Sequence, residues 1–266
     1  MFTDTHCHLD DDRITDKDAA VERYLRAGVD TVINAGCDYQ TSLNGLELSA
    51  KYESVFFAAG YHPSEVGSFD GDAAEKIFAL AREPKCVAIG EIGLDYHWQG
   101  FDKEKQKRAF VTQLDAAYSL KLPVSLHVRD ATEDCLKILK ENSSKLRYGG
   151  TMHCFSGSKE TAREVMNLGL CISFGGTLTF KNASNVVQVA LYTPNEFCLT
   201  ETDSPYLSPH PYRGGVNEPS LVPLVAAKLA EIKGIELDSL AEILHDNTER
   251  VFYKIKECRV QQKRKK

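Results

Sequence analysis

The chain has 266 residues, of which 42% are hydrophobic and 26% charged, a composition typical of a folded globular protein. The formal net charge is −6, but the segment from Lys254 to Lys266 holds seven basic residues and one acidic residue, which leaves −12 for the remainder. An acidic body excludes binding of nucleic acid through a broad basic face, so an anionic substrate must be met locally, by metal ions and a few arginines.

Short runs rich in β-branched residues alternate eight times with longer amphipathic runs. The predicted strands are Phe2–His6, Thr31–Ala35, Val55–Gly60, Val87–Glu91, Val124–His127, Gly150–His153, Cys171–Phe174 and Phe197–Glu201. The predicted helices lie near residues 16–27, 40–52, 72–82, 103–120, 131–141, 159–168, 182–191, 219–232 and 238–255. Eight strand–helix repeats with short connections predict an α/β fold with parallel strands, closed into a TIM (β/α)8 barrel. A doubly wound open sheet is the alternative, which the absence of a Gly-x-Gly-x-x-Gly turn after the first strand disfavours.

The sequence shows no linker, repeat or low-complexity segment, so we expect residues 1–256 to form a single domain. The basic segment 257–266 is expected to be a disordered, solvated tail, with phosphate contact as the alternative. We find no leader and no apolar run of about 20 residues. The eight cysteines are dispersed, without Cys-x-x-Cys spacing, and indicate free thiols in a reducing compartment. We therefore expect a cytoplasmic protein with no membrane contact and no obligate protein partner.

Imidazoles and carboxylates gather at the carboxyl ends of the predicted strands, where the active sites of such barrels lie. In the first strand, alternation places His6 and His8 on one face. The other candidates at this rim are His62, Glu91, His127, Arg129, His153, Glu201 and Asp203. For Glu91 and His153, an apolar strand that ends in an unpaired polar group favours a bound cation, because buried charge needs a partner or a metal.

Several of these residues also have a structural interpretation. For His62, which precedes a proline, the structural alternative is a residue that fixes a turn, and for Arg129 it is a surface ion pair with Asp130. Glu201 shares strand parity with Asp203, so it either binds metal or orients a ligand. Asp95 is expected to belong to a loop.

Ligands of the His, Glu and Asp types suit borderline divalent ions, with Zn²⁺, Mn²⁺ and Mg²⁺ all possible. Six candidates, which exceed the three protein ligands of a mononuclear catalytic zinc, favour two ions: His6, His8, Glu91, His127, His153 and Asp203. Two ions can activate a water and stabilise the attacking and leaving oxygens of a phosphodiester. A carboxylate at the metals, Asp203 by preference, can take the proton from that water. Glu91 and Glu201 are the other two carboxylates for which we expect a catalytic role.

Six segments together resemble the TatD family of metal-dependent deoxyribonucleases. They begin at Asp4, Gly60, Gly90, His127, His153 and Glu201 and read DTHCHL, GYHP, GEIGLDY, HVR, HCFSG and ETDSPY. The resemblance implies a TIM-barrel hydrolase of the amidohydrolase-like superfamily that acts on DNA, often as a 3′→5′ exonuclease. By matching position it implies one metal on His6, His8 and Asp203 and another on His127 and His153. Glu91 would bridge the two metals, with His62 and Glu201 in or beside that shell.

We expect the substrate to be single-stranded or frayed DNA, bound through His62, Arg129, Tyr206 and Arg213. The last three could equally be loop-surface residues. Two alternatives stay open. The same ligands would serve hydrolysis of an ester or amide, such as D-aminoacyl-tRNA deacylation. A non-catalytic module that binds metal or nucleic acid is a third possibility, which the complete ligand set disfavours.

Overall fold

Eight parallel strands form one sheet in sequence order in the computed structural model, which describes residues 1–265 and their side chains through residue 261. The strands are β1 (Phe2–Cys7), β2 (Val29–Ala35), β3 (Val55–Ala59), β4 (Cys86–Asp95), β5 (Val124–Arg129), β6 (Gly150–Met152), β7 (Cys171–Phe174) and β8 (Cys198–Thr200). Between the first and last strands, the Thr5 hydroxyl donates to the Thr200 carbonyl at 3.0 Å. The predicted TIM barrel is confirmed.

Helices alternate with the strands as the amphipathic runs predict. They are α1 (Lys17–Arg26), α2 (Tyr39–Lys51), α3 (Gly71–Leu80), α4 (Lys103–Leu120), α5 (Thr132–Glu141), α6 (Lys159–Asn167), α7 (Ser184–Tyr192), α8 (Val222–Lys233), α9 (Leu237–Val251) and α10 (Lys254–Lys265). Five of the first six begin at an Asp or Ser whose side chain accepts a backbone N–H of the first turn. These caps fix where each helix begins after the loop that follows a strand. Among the described residues, no helix combines the length and apolar character needed to cross a membrane.

The main apolar core lies between the sheet and the surrounding helices. Phe110 and Leu114 of α4 and Ile77 of α3 are almost completely buried and belong to the same cluster as Ile89 and Ile92 of β4. Phe110 and Leu114 are four residues apart and therefore lie on one face of α4. Ile77 belongs to the same cluster from α3. Burying side chains of this size contributes about 1.5–3 kcal/mol each, which fixes the strands that carry the rim residues.

Strand β4 is longer than the sequence pattern predicts. It continues past Glu91 to Asp95, and its last residues pair with β5, Gly93 opposite His127 and Asp95 opposite Arg129. Gly93 has a φ of +145°, and a Cβ at this position would lie 2.0 Å from the His127 carbonyl oxygen. Glycine therefore allows β4 to approach the His127 backbone closely. The expectation that Asp95 belongs to a loop is wrong, because this residue ends a buried strand.

The structure also differs from the expected disordered tail, because helix α10 continues through residue 265. Ile255 and Cys258 are buried in a cluster with Phe56 of β3. The guanidinium of Arg259 lies 3.3 Å from Asp30 and 3.0 Å from Glu249. Ile255 and Cys258, which are three residues apart, therefore anchor the start of this segment on the barrel through apolar contacts. Arg259 anchors it through its two carboxylate partners. Residue 266 lies outside the described residues, and the single domain of residues 1–256 stays a prediction.

Candidate metal centre

Glu91 lies at the middle of the carboxyl rim, only 2% exposed, with imidazoles facing both of its oxygens. Its Oε1 is 2.7 Å from His127 Nδ1 and 2.8 Å from His153 Nε2. His62 Nε2 lies 3.6 Å from the same oxygen. His127 lies within β5, His153 directly follows β6 and His62 lies three residues beyond β3, so three separate strands deliver nitrogen atoms to one carboxylate oxygen.

The other oxygen of Glu91 faces the histidines of β1. Oε2 lies 3.3 Å from His6 Nε2 and 3.6 Å from His8 Nε2. His8 Nε2 is also 3.6 Å from Oδ1 of Asp203. The Asp203 backbone is held by a hydrogen bond from its N–H to the His6 carbonyl at 2.9 Å. Alternation along β1 thus gives two imidazoles on one side, as the sequence predicts, and Asp203 joins them from the loop after β8.

Hydrogen bonds behind the β1 histidines determine which ring nitrogens point into the cluster. His8 Nδ1 lies 3.0 Å from the Ala35 carbonyl, so Nδ1 donates to that oxygen and Nε2 is the nitrogen that faces Glu91 and Asp203. His6 Nδ1 lies 3.2 Å from the Ser125 hydroxyl, which leaves its Nε2 facing Glu91. Partners of this kind orient metal-binding histidines in proteins generally.

Two further carboxylates orient the remaining histidines. Asp95 Oδ2 lies 3.1 Å from His127 Nε2, so the opposite nitrogen of that ring faces Glu91. Glu201 Oε1 lies 3.4 Å from His153 Nδ1 and accepts the Cys154 N–H at 2.6 Å. Asp95 and Glu201 therefore lie behind the histidines, on the side away from Glu91.

The charges of the cluster are strongly coupled. Burial alone would raise the pKa of Glu91, but the imidazoles of His153, His62 and His6 outweigh it and hold this pKa well below its ordinary value. Burial lowers the pKa of His62 to about 4. Burial also disfavours the cationic form of His153, but Glu91 and Glu201 outweigh it and raise this pKa well above its usual range. Both shifts favour the ionised form of Glu91 and the protonated form of His153.

The residues of this cluster fit divalent cations. Three buried polar atoms at the site have no hydrogen-bond partner among the described residues, namely His6 Nε2, His153 Nδ1 and Glu201 Oε2. The His6 and His153 rings stack at 3.8 Å, which brings two bases together without a hydrogen bond between them. Triads whose ligand atoms lie within 4.8 Å of one another are His6–His8–Asp203, His6–Glu91–His153, His8–Cys37–Glu91 and His62–Asp95–His127. A cation between Glu91 and the histidines would satisfy His6 Nε2 and neutralise the carboxylates.

The structure brings all six predicted metal ligands into one cluster, with His62 beside Glu91 and Glu201 behind His153. Of the four predicted substrate contacts, His62 lies in the cluster and the other three lie outside it. The Tyr206 ring is 6.1 Å from the His8 ring, while Arg129 lies over Trp98 and Arg213 over Phe180. The alternative pairing of Arg129 with Asp130 does not form, because Asp130 contacts His97 at 2.9 Å.

Sequence reasoning missed two residues of the cluster. Asp95 has the same strand parity as Glu91, but the predicted strand ended at Glu91, so the signal was lost with the strand boundary. Cys37 lies two residues beyond the end of β2, and its thiol is 3.9 Å from Glu91 Oε2. In sequence, a cysteine that follows an apolar strand resembles a core residue. Only the register of β2 against its neighbours therefore shows that Cys37 lies at the metal centre.

Comparison with known proteins gives concordant results. Residues 3–253 match the family described as TatD related DNase. The metal-dependent hydrolase YabD of Bacillus subtilis is 41% identical over 95% of this chain and 99% of its own. A protein of Klebsiella pneumoniae named 3′-5′ ssDNA/RNA exonuclease TatD is 34% identical over 89% of this chain and 92% of its own. The crystal structure of the TatD homolog YJJV from Escherichia coli superimposes with a TM-score of 0.90 at 33% identity, covering 95% of this chain and 98% of that one.

Cation binding to the cluster should release protons. The carboxylates raise the pKa of His153, so this imidazole stays protonated up to a pH above its ordinary pKa, and a metal must displace that proton. We expect Zn²⁺ to bind more weakly at about pH 6 than at about pH 8, with roughly one or more protons released near pH 7. Titration calorimetry in buffers of different ionisation enthalpy measures the proton count, and His153→Ala should lower it. Binding heats that are independent of the buffer would contradict this expectation.

Proposed function

The chain belongs to the family of TatD related DNases and is a metal-dependent hydrolase, and from this premise we propose that it hydrolyses phosphodiester bonds in DNA. We propose that it removes nucleotides from 3′ ends that are single-stranded or frayed. The name of the Klebsiella relative, an exonuclease of single-stranded DNA and RNA, supports this polarity and substrate class. We propose a cytoplasmic location, in line with the reducing compartment that the free cysteines favour.

We propose two divalent ions at the rim, with Mg²⁺, Mn²⁺ and Zn²⁺ as candidates. His6, His8 and Asp203 would hold one ion, and His127 and His153 the other, while Glu91 offers one oxygen to each group. When bound, such ions acidify water and stabilise charge on phosphate oxygens. The opposite orientation of the two Glu91 oxygens, each facing its own set of imidazoles, supports this division.

Asp203 is the proposed general base. Its side chain is 14% exposed, against 3% for Glu91, so it faces the mouth where substrate and water enter. Burial would raise its pKa, but His8 and the neighbouring imidazoles outweigh this and lower it, so the carboxylate is ionised and able to accept a proton. Glu201, which the sequence also suggested as catalytic, would act by orienting His153.

The observation that carries a nucleic-acid substrate is a set of arginine–aromatic pairs on the loops around the mouth. Arg129 lies 5.7 Å from the Trp98 ring and Arg213 lies 4.2 Å from the Phe180 ring. Neither arginine has a carboxylate partner among the residues that the structure describes. On an otherwise acidic protein, unpaired guanidinium groups next to the site are suited to phosphates.

Arg13 and Tyr206 form a third pair, 4.1 Å apart, although Arg13 also binds Asp11 at 2.7 Å. Trp98 and Tyr206 are about half exposed, with 58% and 47% of their surface accessible. Each exposed ring offers a face for a base, while the neighbouring cation can reach the chain of phosphates. Single-strand binding sites combine these two contacts, which supports unpaired nucleic acid over a rigid duplex.

Nucleotide release from a 3′-labelled oligonucleotide tests the proposed activity. We expect release to require added Mg²⁺, Mn²⁺ or Zn²⁺ and to fall at least about 100-fold in Glu91→Gln, because this change removes a charge shared by both ion sites. Glu75→Gln, on the exposed side of α3, is the matched control and should retain wild-type activity.

Metal-independent release, or full activity in Glu91→Gln, would contradict the proposed mechanism. A charged D-aminoacyl-tRNA assayed in parallel distinguishes the deacylase alternative, since faster turnover of that ester than of DNA would assign the centre to acyl transfer. Metal-loaded protein that binds DNA but cleaves neither substrate would favour the non-catalytic module.

Trp98 is the only tryptophan of the chain, so its fluorescence reports on the proposed base platform. We expect a single-stranded oligonucleotide to quench this fluorescence in the Glu91→Gln protein, and an abasic oligonucleotide of equal length to quench it much less. Trp98→Ala should weaken binding roughly 5- to 150-fold, as expected for loss of about 1–3 kcal/mol of stacking. Tyr118→Ala, which removes an exposed ring near the end of α4, is the control. Equal quenching by both oligonucleotides would show that bases do not stack on Trp98.

A further inference from the structure

Cys37 lies at the same rim as the metal ligands, in the turn between β2 and α2. Two backbone hydrogen bonds fix this turn against the centre. The Glu91 N–H donates to the Gly36 carbonyl at 2.8 Å, and the His62 N–H donates to the Cys37 carbonyl at 2.8 Å. The position of the thiol is therefore set by the same strands that position Glu91 and His62.

The thiol points at the β1 side of the cluster. Its Sγ lies 3.9 Å from Glu91 Oε2. It contacts the His8 ring from the Nδ1 side, at 3.8 Å, while His8 Nε2 is the nitrogen that faces Glu91. Ligand atoms of His8, Cys37 and Glu91 all lie within 4.8 Å of one another. A second feature points to an ion at this place, since His6 Nε2 is buried, has no hydrogen-bond partner among the described residues and faces the same Glu91 oxygen at 3.3 Å.

The spacing suits donors that share one cation. Zinc–sulfur bonds are about 2.3 Å and zinc–oxygen bonds about 2.0–2.2 Å, so a thiolate and a carboxylate oxygen on one zinc lie roughly 3.5 Å apart at the tetrahedral angle and up to about 4.4 Å when opposed. The observed 3.9 Å between Cys37 Sγ and Glu91 Oε2 falls inside this range.

We propose that Cys37 supplies a sulfur ligand to the ion on the His6–His8 side and thereby biases this centre toward thiophilic cations such as Zn²⁺ and Co²⁺ over Mg²⁺ and Mn²⁺. The sulfur–metal bond forms as the S–H bond breaks, and the proton leaves to solvent. No electron is transferred. Thiolate selects softer ions, whereas a centre of imidazole and carboxylate alone accepts the harder ones as well. The inference rests on the proposed metal centre but not on DNA as its substrate.

The remaining cysteines provide internal controls. Six of the eight are buried, and Cys37 and Cys154 are the two partly exposed thiols. Cys154 follows His153, and its N–H binds Glu201. Cys258 is buried under the barrel against the Pro84 carbonyl, far along the chain from every rim residue. Serine at any of these positions removes one sulfur and keeps the side chain nearly the same size.

The test uses the full chain, freed of metal and reconstituted with Co²⁺. We expect near-ultraviolet sulfur-to-cobalt charge-transfer absorption in the wild type, its loss in Cys37→Ser with cobalt still bound, and its retention in Cys154→Ser and Cys258→Ser. In competitive dialysis against equal Zn²⁺ and Mn²⁺, Cys37→Ser should lower the bound zinc-to-manganese ratio at least about tenfold.

Absorption that persists in Cys37→Ser, or that disappears in Cys154→Ser instead, would overturn the proposal. X-ray absorption spectroscopy of the zinc-loaded wild type needs no variant and should show sulfur scattering at about 2.3 Å, whereas nitrogen and oxygen scattering alone would also overturn it. Every readout reports on the bound metal and none on nuclease activity. A protein without nuclease activity can therefore still show the sulfur ligand, and an active nuclease can lack it.

Discussion

The structure depends on one buried carboxylate surrounded by five imidazoles. Glu91 is almost completely inaccessible, and His6, His8, His62, His127 and His153 all lie within 3.6 Å of its oxygens. A lone buried carboxylate carries a desolvation penalty of several kcal/mol, and excess imidazoles next to one another repel once protonated. Either protons or cations must therefore balance this cluster. The partnerless Nε2 of His6, which faces Glu91, indicates that protons alone satisfy it incompletely.

Barrel geometry converts distant sequence segments into this cluster. Parallel strands end at one rim, so each strand needs to supply only one or two side chains, and the strict alternation along β1 supplies two. The apolar layer between sheet and helices then fixes the strands, as the buried residues of α3, α4 and β4 show. Reactivity is therefore encoded at strand ends, while stability is encoded in the layer behind them. The loops add the arginines and aromatic rings that surround the mouth.

The sequence predicted the barrel, the order of elements and the convergence of the ligands, because these follow from periodicity and from strand-end placement. What it could not predict depends on exact strand length and register. Asp95 was assigned to a loop because β4 looked complete at Glu91, yet pairing with β5 extends the strand and brings Asp95 to His127. Cys37 looked like a core thiol, and only the positions of Gly36 against Glu91 and of Cys37 against His62 reveal its place at the rim. The helix over the basic tail depends on the packing of Ile255 and Cys258 against apolar residues of the barrel such as Phe56. This contact joins residues far apart in the chain, so no local sequence pattern predicts it.

The central claim is that Glu91 lies between two cation sites, each with its own histidines. Anomalous diffraction from crystals of the zinc-loaded protein tests it most directly, by recording data on both sides of the zinc absorption edge. The account predicts two anomalous peaks, one between Glu91 Oε2 and the β1 histidines with Asp203, the other between Glu91 Oε1 and the pair His127 and His153. A single peak away from Glu91, or zinc bound only on the protein surface, would contradict it.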